Sequence, residues 1–230
     1  MSRMICIFYS NLLLLGAKKM KIEMKRFVVC LIFACFLWVA KAQKIEDCFV
    51  RMPNELIEHL EEAWRKDLVD IYKAGKPAVL ENILLGKSVL RELTEHYLLL
   101  QSTERSVVEL KLLPLVNNTY IICMIETVYA PVADSRVSFY TTEWQQLPAE
   151  DIFTPVAETW FWKEEADQSS QEDLSRLGIF LVKYHLSAEN ANLTAEYMTP
   201  HTLDEESQQV VRPLLKPGPK TYEWKSGRFE

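Results

Sequence analysis

The sequence is poor in glycine and contains none of the short motifs that mark common enzyme sites. Six of its 230 residues are glycine, and no Gly-rich phosphate-binding loop is present. It has no G-x-S-x-G, H-E-x-x-H or C-x-x-C motif, and no two of its four histidines lie within four residues of each other. We therefore predict no catalytic residue, no cofactor and no metal ion. A hydrolase-type enzyme with an unfamiliar site stays an alternative.

Basic residues are scarce after the first 42 positions. Seven of the 26 Lys and Arg residues lie in that initial stretch, against one of the 32 acidic residues. Residues 43–230 therefore carry 19 basic and 31 acidic side chains, a net charge of −12. A surface with this charge repels phosphate backbones and anionic lipid headgroups. Nucleic acid is thus excluded as a partner, and anionic membrane surfaces are disfavoured.

The first 42 residues have the composition of a secretory signal peptide. Lys25-Arg26 precedes thirteen uncharged, mostly apolar residues, Phe27–Val39. Ala40-Lys41-Ala42 then places small residues at the two positions that a signal peptidase reads, which predicts cleavage between Ala42 and Gln43. Because the apolar run is short for a bilayer, we expect no stable membrane span after cleavage; an uncleaved anchor is the alternative.

A second apolar run, Ile5–Gly16, precedes this segment. Two such runs in series are unusual in a signal peptide, whereas Met24 stands immediately before the basic pair of an ordinary one. We therefore expect translation to begin at Met24 or Met20 and residues 1–23 to be an over-extended start. A helical hairpin in the membrane is the alternative.

Three cysteines bear on the fate of the exported chain. Cys35 follows Ile32-Phe33-Ala34, which has a weak likeness to a lipoprotein cleavage box, so lipidation at Cys35 stays open. Cys48 and Cys123 remain after cleavage. An oxidising compartment permits a disulfide between them, and two separate buried thiols are the alternative.

Tyr120–Tyr129 has the strongest strand character in the chain. Its residues are mostly β-branched, aromatic or sulfur-containing, and both alternating faces are apolar apart from Glu126. This pattern predicts a central strand covered on both sides. A turn at Ala130–Ser135 and a second strand at Arg136–Thr142 would complete a hairpin. We expect the following side chains to be buried: Ile121, Ile125 and Phe139.

The elements before this hairpin are predicted helices and strands. An apolar stripe at three- and four-residue steps predicts a helix over Pro53–Lys73, with Gly75 as its C-cap and with Leu60 and Trp64 packed on the sheet. Ala78–Leu85 is predicted to be a short second helix. Strands at Glu92–Gln101 and Ser106–Val116, with a turn at Asn117-Asn118, would make residues 93–143 a four-stranded antiparallel meander.

The second half follows a predicted linker, residues 148–171, which contains two prolines and the polar run Glu164–Gln171. Beyond it we predict a hairpin over residues 177–199, a helix at Leu203–Leu215 and a terminal strand or hairpin at Tyr222–Phe229. The domain division is therefore residues 43–147 and 172–230, with the halves packed together. Because helices do not separate consecutive strands, the fold class is α+β: N-terminal helices, an antiparallel sheet meander, then a smaller half of helix and strands.

Two constellations are candidates for function. Asp134-Ser135-Arg136 falls in the predicted hairpin turn, where Asp and Ser usually bond their own backbone, so a nucleophilic serine is the less favoured interpretation. Trp160-Phe161-Trp162 is a dense aromatic patch, in which an extended backbone would turn Phe161 away from both tryptophans. Exposed tryptophans stack on sugars, whereas buried ones cover a sheet. The candidate ligand patch is Trp160, Trp162 and Trp144, with Trp224 as a further aromatic residue.

Four sequence blocks, taken in order, carry a family resemblance. They are Leu68–Gly75, Leu110–Pro114, Ile122–Trp144 and Tyr222–Phe229. With them the chain resembles an uncharacterised family of exported Bacteroidales proteins, domain of unknown function 3256, over essentially all of residues 44–230. The resemblance implies a bacterial source and delivery to the periplasm or the outer-membrane region. It implies no activity, cofactor or catalytic residue.

These observations together predict an exported, non-enzymatic binding or envelope-associated module, whose partner is a glycan or an envelope protein. The classes differ in what their structures contain. A deep pocket with converging Asp, Glu, His or Ser side chains would favour an enzyme. A broad aromatic or apolar surface patch would favour a binding module. An unpaired edge strand would favour an assembly subunit that accepts a partner's strand.

Overall fold

The computed structural model describes residues 43–117, 119–164 and 177–230 of the chain. The predicted signal peptide, Asn118 of the predicted turn, and residues 165–176, which include the end of the predicted linker, lie outside this description. Gln43–Glu230 forms one compact unit. None of the helices that the structure describes is long and apolar enough to cross a membrane.

Three α-helices are present in the described residues, and the first two lie at the N-terminal end of the unit. They are α1 (Ile45–Val50), α2 (Glu62–Lys73) and α3 (Glu205–Val211). The prediction of one helix over Pro53–Lys73 is wrong in its first half, where a 3-10 turn occupies Asn54–Leu56 and the α-helix begins only at Glu62. Its predicted end is confirmed, since Gly75 adopts a positive φ of 70° just beyond the helix.

The buried guanidinium of Arg65 explains why the segment before α2 is not helical. Arg65 is 1% exposed, and its Nε donates to the carbonyl of Phe49 at 3.1 Å. The same side chain donates to the carbonyls of Met52 and Leu60 and to the side chain of Asn54. The acceptors lie at the end of α1 and in the α1–α2 connection, so the connection wraps around the arginine.

The main sheet is a seven-stranded antiparallel meander in which each strand pairs with the next along the chain. The predicted strand Tyr120–Tyr129 is confirmed as β5, paired along its length with β4 and β6. The predicted four-stranded meander is therefore part of a larger sheet. Its strands are β1 (Val79–Glu81), β2 (Lys87–Leu93), β3 (Tyr97–Thr103), β4 (Ser106–Pro114), β5 (Tyr120–Tyr129), β6 (Ala133–Thr141) and β7 (Gln146–Leu147).

Two predicted elements at the start of this sheet are wrong. Ala78–Leu85 is not a helix, because β1 pairs with β2 and a turn follows it. Buried Asn82 fixes that turn, since its side-chain oxygen accepts hydrogen bonds from the backbone nitrogens of Leu84 and Gly86 at 3.0 and 3.2 Å. Glu92–Gln101 is not one strand, because it contains the turn between β2 and β3.

The smaller half forms a second antiparallel sheet and a short hairpin. Its predicted hairpin is confirmed as β8 (Val182–Leu186) and β9 (Leu193–Tyr197), and β10 (Lys220–Tyr222) pairs with β9 to give the order β10-β9-β8. The terminal hairpin joins β11 (Trp224–Lys225) to β12 (Arg228–Phe229). The predicted helix Leu203–Leu215 is shorter than expected. It is α3, capped by the Asp204 side chain, followed by a 3-10 turn that contains Pro213.

Both faces of the main sheet are covered, as the pattern of β5 predicts. The α+β class is confirmed by the order of the elements, in which N-terminal helices precede antiparallel sheets. Helices α1 and α2 cover the face that carries Ile122 and Met124, and Leu60 and Trp64 pack there as expected. The second sheet and part of residues 148–162 cover the face that carries the predicted core residues Ile121, Ile125 and Phe139, which are all buried.

The two cysteines lie in different cores. Cys48 belongs to the core under the helices and Cys123 to the core under the second sheet, and both are free and buried. Since β5 separates the two cores, the structure supports the alternative of two separate thiols. Burial raises the pKa of both thiols above the ordinary value for cysteine.

The described part of the predicted linker is packed against the sheet. It contains 3-10 turns at Ala149–Asp151 and Glu158–Phe161. Phe153, Val156 and Phe161 are each 3% exposed or less and belong to the second core. This segment therefore carries the chain from the edge of the main sheet to the second sheet.

Candidate functional site

The structure separates Trp144 from the other tryptophans of the predicted ligand patch. Trp144 packs in the core under the helices, and its indole nitrogen donates a hydrogen bond to the carbonyl of Cys48 at 2.9 Å. Trp160 and Trp162 are half-buried and contact the second core. Trp144 is therefore a core residue, and a patch can include only Trp160 and Trp162. Trp224 lies elsewhere, with its indole nitrogen bonded to the carbonyl of Pro114.

Phe161 anchors the aromatic patch in the core. It is 2% exposed and stacks on Tyr197, with ring centroids 5.0 Å apart. The backbone at Glu158–Phe161 is a 3-10 turn instead of the extended segment that was expected. Even so, the phenylalanine is the buried member of the three and the tryptophans stay partly accessible. Trp160 meets the edge of Phe161 with a centroid distance of 5.1 Å.

Two lysines approach the Trp160 ring. The Nζ atoms of Lys216 and Lys220 lie 5.3 and 5.8 Å from the ring centroid, within the range of cation–π attraction. Lys220 also lies over the Tyr222 ring, at 4.2 Å. Burial lowers the pKa of Lys220, because removal from water disfavours the charged ammonium.

Backbone pairing holds the lysine-bearing loop beside the tryptophan. The nitrogen of Lys216 donates to the carbonyl of Phe161 at 2.7 Å, and the nitrogen of Lys163 donates to the carbonyl of Leu214 at 2.9 Å. The loop between Lys216 and Lys220 is Pro217-Gly218-Pro219, with a positive φ of 81° at Gly218. Both lysines that flank this short turn reach the Trp160 ring.

A small cavity of about 170 Å³ adjoins the lysine loop. Phe161, Glu196, Tyr197 and Lys216 line it, together with Leu215, Gly218 and Pro219. The Tyr197 hydroxyl donates to Glu158 Oε1 at 2.5 Å, and burial together with this bond raises the pKa of Tyr197. We name Trp160, Lys216, Lys220 and this cavity the Trp160 site. It combines an aromatic ring and two ammonium groups with a carboxylate and a phenol. Sugars pack on aromatic rings and bond polar groups, and the ammonium groups attract anions.

Asp134 and Ser135 lie in strand β6, so their predicted place in a turn is wrong. The turn is shorter than expected because β6 begins at Ala133 and pairs with β5 from that residue onward. Ser135 Oγ accepts a hydrogen bond from the Tyr184 nitrogen at 3.1 Å and shares another with Thr127 Oγ1 at 2.8 Å. Neither partner is a general base, so the contacts of Ser135 do not form a nucleophilic pair.

Sequence reasoning missed a buried polar cluster on β3, β4 and β8. Glu109 is 3% exposed, although it alternates with apolar residues along β4 and shares a face with Lys111. Its Oε2 atom accepts hydrogen bonds from the Tyr97 hydroxyl at 3.1 Å, from His185 Nδ1 at 2.9 Å and from the Leu186 nitrogen at 2.9 Å. The cluster links the main sheet to the second sheet.

The same cluster shifts the titration of its members. The hydrogen bond to Glu109 raises the pKa of His185, and burial raises the pKa of Tyr97. Burial lowers the pKa of Lys111, whose Nζ donates to the carbonyls of Ser187 and Ala188 at 2.8 and 3.1 Å. These groups are bonded to one another or to backbone, which is the arrangement of a structural junction.

One signal in the sequence could have indicated these residues. Glu109 stands in a strand between two apolar segments, Leu98–Leu100 and Ile121–Ile125, which argues against a solvated face at this position. The Pro-Gly-Pro turn between Lys216 and Lys220 is visible in the sequence, but it does not indicate that these lysines approach Trp160. For metal ions, no group of three or more His, Cys, Asp or Glu side chains with a suitable arrangement occurs in residues 43–117, 119–164 and 177–230.

Comparisons with known proteins give a family and a similar fold. The family described as "Protein of unknown function (DUF3256)" matches residues 37–229. A solved structure, described as a domain of an uncharacterized protein from Porphyromonas gingivalis W83, is 30% identical in sequence with a TM-score of 0.72. The similarity covers 81% of this chain and 98% of that one. Among curated proteins, no match was found.

Proposed function

The chain belongs to the DUF3256 family, and from that premise we propose that it is an exported, non-enzymatic binding module of the bacterial periplasm or outer membrane. Its ligand is an acidic saccharide, bound at the Trp160 site. The observation that carries this proposal is the approach of two lysine ammonium groups to one half-buried tryptophan, next to a cavity.

The chemistry of the site fits a sugar that carries a negative charge. A pyranose ring presents apolar C–H groups that pack on an indole, and the ammonium groups of Lys216 and Lys220 pair with carboxylate, sulfate or phosphate. In the adjoining cavity, Glu196 and the Tyr197 hydroxyl oxygen, whose proton is donated to Glu158, accept hydrogen bonds from sugar hydroxyl groups. A local cationic site also stands out on a chain whose residues 43–230 have a net charge of −12.

Binding to an acidic polysaccharide tests the proposal. We expect purified residues 43–230 to bind polygalacturonate in isothermal titration calorimetry and to bind neutral dextran far more weakly. The double change Lys216→Ala with Lys220→Ala should weaken polygalacturonate binding by about tenfold or more, since two charge pairs are lost. Trp160→Ala should weaken it as well, and Trp160→Phe should restore part of the affinity.

A matched control separates the site from general charge. Lys76 and Lys87 are exposed and lie outside the Trp160 site, so changing both to Ala alters the net charge by the same amount. Polygalacturonate affinity should then be nearly unchanged. An equal loss in the control pair, or equal binding of dextran, would contradict the proposal. Melting temperatures of all variants show whether any loss of binding reflects unfolding.

Export is the second part of the proposal and rests on the sequence of residues 1–42. N-terminal sequencing of the protein from a native envelope fraction should give a chain that begins at Gln43. A lipid-modified chain that begins at Cys35 would replace this interpretation with a lipoprotein.

A further inference from the structure

Strand β6 is paired along only part of one edge. It extends over nine residues, but β7 pairs with it only at Phe139 and Tyr140. Residues 133–138 of β6 therefore face no strand on that side within the described parts of the chain. Pro148 directly follows β7 and has no N–H to continue the ladder, and the chain then turns away as the 3-10 segment Ala149–Asp151.

The unpaired side of β6 carries backbone hydrogen-bonding groups that point outward. The Thr141 nitrogen donates to the Gln145 carbonyl at 2.8 Å across the β7 side of the strand. Because these groups alternate in direction along a strand, the N–H and C=O of Val137 and Ser135 point to the same side as those of Thr141. The groups of Arg136 and Ser138 point instead to β5.

The edge strand β8 of the second sheet, in contrast, has its outward-facing N–H groups bonded. The outward-facing nitrogens of Val182, Tyr184 and Leu186 on β8 each donate to a side chain of the main sheet. The acceptors are Asp134 Oδ1 at 3.3 Å, Ser135 Oγ at 3.1 Å and Glu109 Oε2 at 2.9 Å. These bonds cover the edge of β8, and covering is one way in which natural proteins protect a sheet edge. The comparable positions of β6, Ser135 and Val137, have no such side-chain acceptor in the described structure.

A groove runs along the open part of β6. One cavity of about 430 Å³ lies beside Asp134, Ser135 and Val137, and a second of about 420 Å³ lies beside Val137 and Phe139. The two cavities share the side chains of Val137, Ala149 and Glu150, so together they form one path, the β6 groove. Its apolar lining includes Phe153 and Val182, and its charged lining is acidic, with Asp134 and Glu150.

We propose that the β6 groove binds an extended peptide segment of a partner protein, which adds to the main sheet as a strand beside β6. Backbone groups of the peptide bond those of Ser135 and Val137, as in strand addition to other sheet edges. Its alternate apolar side chains enter the two cavities, and a Lys or Arg side chain pairs with Asp134 and Glu150. This inference is independent of the saccharide site.

Charge favours a different protein over a second copy of this chain. A second copy has the same acidic groove and the same net charge of −12 over residues 43–230, so edge-to-edge pairing would bring like charges together. A basic peptide complements both carboxylates.

Hydrogen exchange of single amides tests the open edge directly. In the free protein we expect the amides of Ser135 and Val137 to exchange rapidly, and those of Arg136 and Ser138, which face β5, to exchange slowly. A short synthetic peptide in which valine alternates with lysine should protect Ser135 and Val137. The same peptide with N-methylated backbone amides should not. Slow exchange of both amides in the free protein would overturn the proposal. Protection that increases with protein concentration in the absence of peptide would show that a second copy of this chain binds the edge, which also overturns it.

Proline scanning of β6 gives the matched variants. Val137→Pro removes an outward N–H and leaves the bonds to β5 in place, so the fold should be kept while peptide affinity falls by about tenfold. Ser138→Pro removes an inward N–H and should destabilise the sheet. If Val137→Pro does not fold, Glu150→Lys, at an exposed position, provides the second test. It should weaken binding of the valine–lysine peptide and strengthen binding of a valine–glutamate peptide. Unchanged affinities in the folded variants overturn the proposal.

Discussion

The side-chain carboxylate of Glu109 on β4 accepts a hydrogen bond from the backbone nitrogen of Leu186 on β8, at 2.9 Å and across 77 positions of the sequence. This bond and those to Tyr97 and His185 fasten the second sheet to the main one. The junction between the halves therefore depends on a buried carboxylate as well as on apolar contact.

Replacing Glu109 should loosen that junction. Glu109→Leu leaves the buried Leu186 nitrogen and the Tyr97 hydroxyl without their acceptor, which should lower the free energy of unfolding by about 1–3 kcal/mol. Glu109→Gln keeps an acceptor oxygen and should cost less. Chemical denaturation measures both, and exposed Glu104→Ala should change stability by less than about 0.5 kcal/mol. A Glu109→Leu variant as stable as the wild type would show that the contact contributes nothing.

Stability should depend on pH through His185. Its folded pKa is raised by the bond to Glu109, above an unfolded value of about 6.5. The contribution of His185 is therefore complete below pH of about 6.5 and is lost as the pH rises through the folded pKa. Burial lowers the pKa of His59, which gives a slope of opposite sign. The informative measurement is thus the difference between wild type and His185→Gln across that range. A difference that does not vary with pH would refute the prediction.

Ile125 should be among the most sensitive positions of the main sheet. It is fully buried on β5, so Ile125→Ala should cost about 2–5 kcal/mol in denaturant titration. Val128 on the same strand is 51% exposed, and Val128→Ala is the matched control with a small expected effect. A loss below about 1 kcal/mol for Ile125→Ala would mean that β5 is not central to the core.

Arg65 should not tolerate lysine. Arg65→Lys keeps the charge but cannot reach the carbonyls of Phe49, Met52 and Leu60 with one ammonium group. Buried carbonyls left without donors should cost about 1–3 kcal/mol, measured as a fall in the free energy of unfolding. The exposed neighbour Lys66 offers the control change Lys66→Arg, which should be neutral. Equal stability of the two variants would count against this account of the α1–α2 connection.

The sequence predicted best where a pattern is local and long. Tyr120–Tyr129 alternates two apolar faces and is flanked by turn residues, so both its strand state and its burial follow from its own composition. The helix predicted over Ala78–Leu85 is wrong. The actual strand and turn depend on pairing with β2 and on the side chain of Asn82, and the spacing of apolar residues indicates neither. The first half of the predicted Pro53–Lys73 helix is wrong because the Arg65 side chain folds back and bonds the Leu60 carbonyl and the Asn54 side chain, which helical periodicity does not indicate.

The candidate site was predictable only in part. Trp160 and Trp162 stand out as rare residues in a dense run, and the structure leaves both partly accessible. Trp144 looked equivalent in sequence, but its hydrogen bond to Cys48 places it in the other core. Lys216 and Lys220 approach Trp160 through folding of a segment more than fifty positions away, and no local pattern indicates such an approach.

The thiols of Cys48 and Cys123 lie in cores on opposite faces of the main sheet, which has a consequence for folding in an oxidising compartment. In the unfolded chain both thiols are accessible and ionise at their ordinary pKa, so an oxidase can join them. A Cys48–Cys123 bridge is incompatible with a sheet that lies between the two sulfur atoms. Oxidation before the meander forms would therefore give a disulfide-bonded chain that cannot complete the sheet. In the folded protein both thiols are buried, so they are protected from thiol–disulfide exchange. In such a compartment, correct folding therefore requires that the main sheet forms before the two thiols are oxidised.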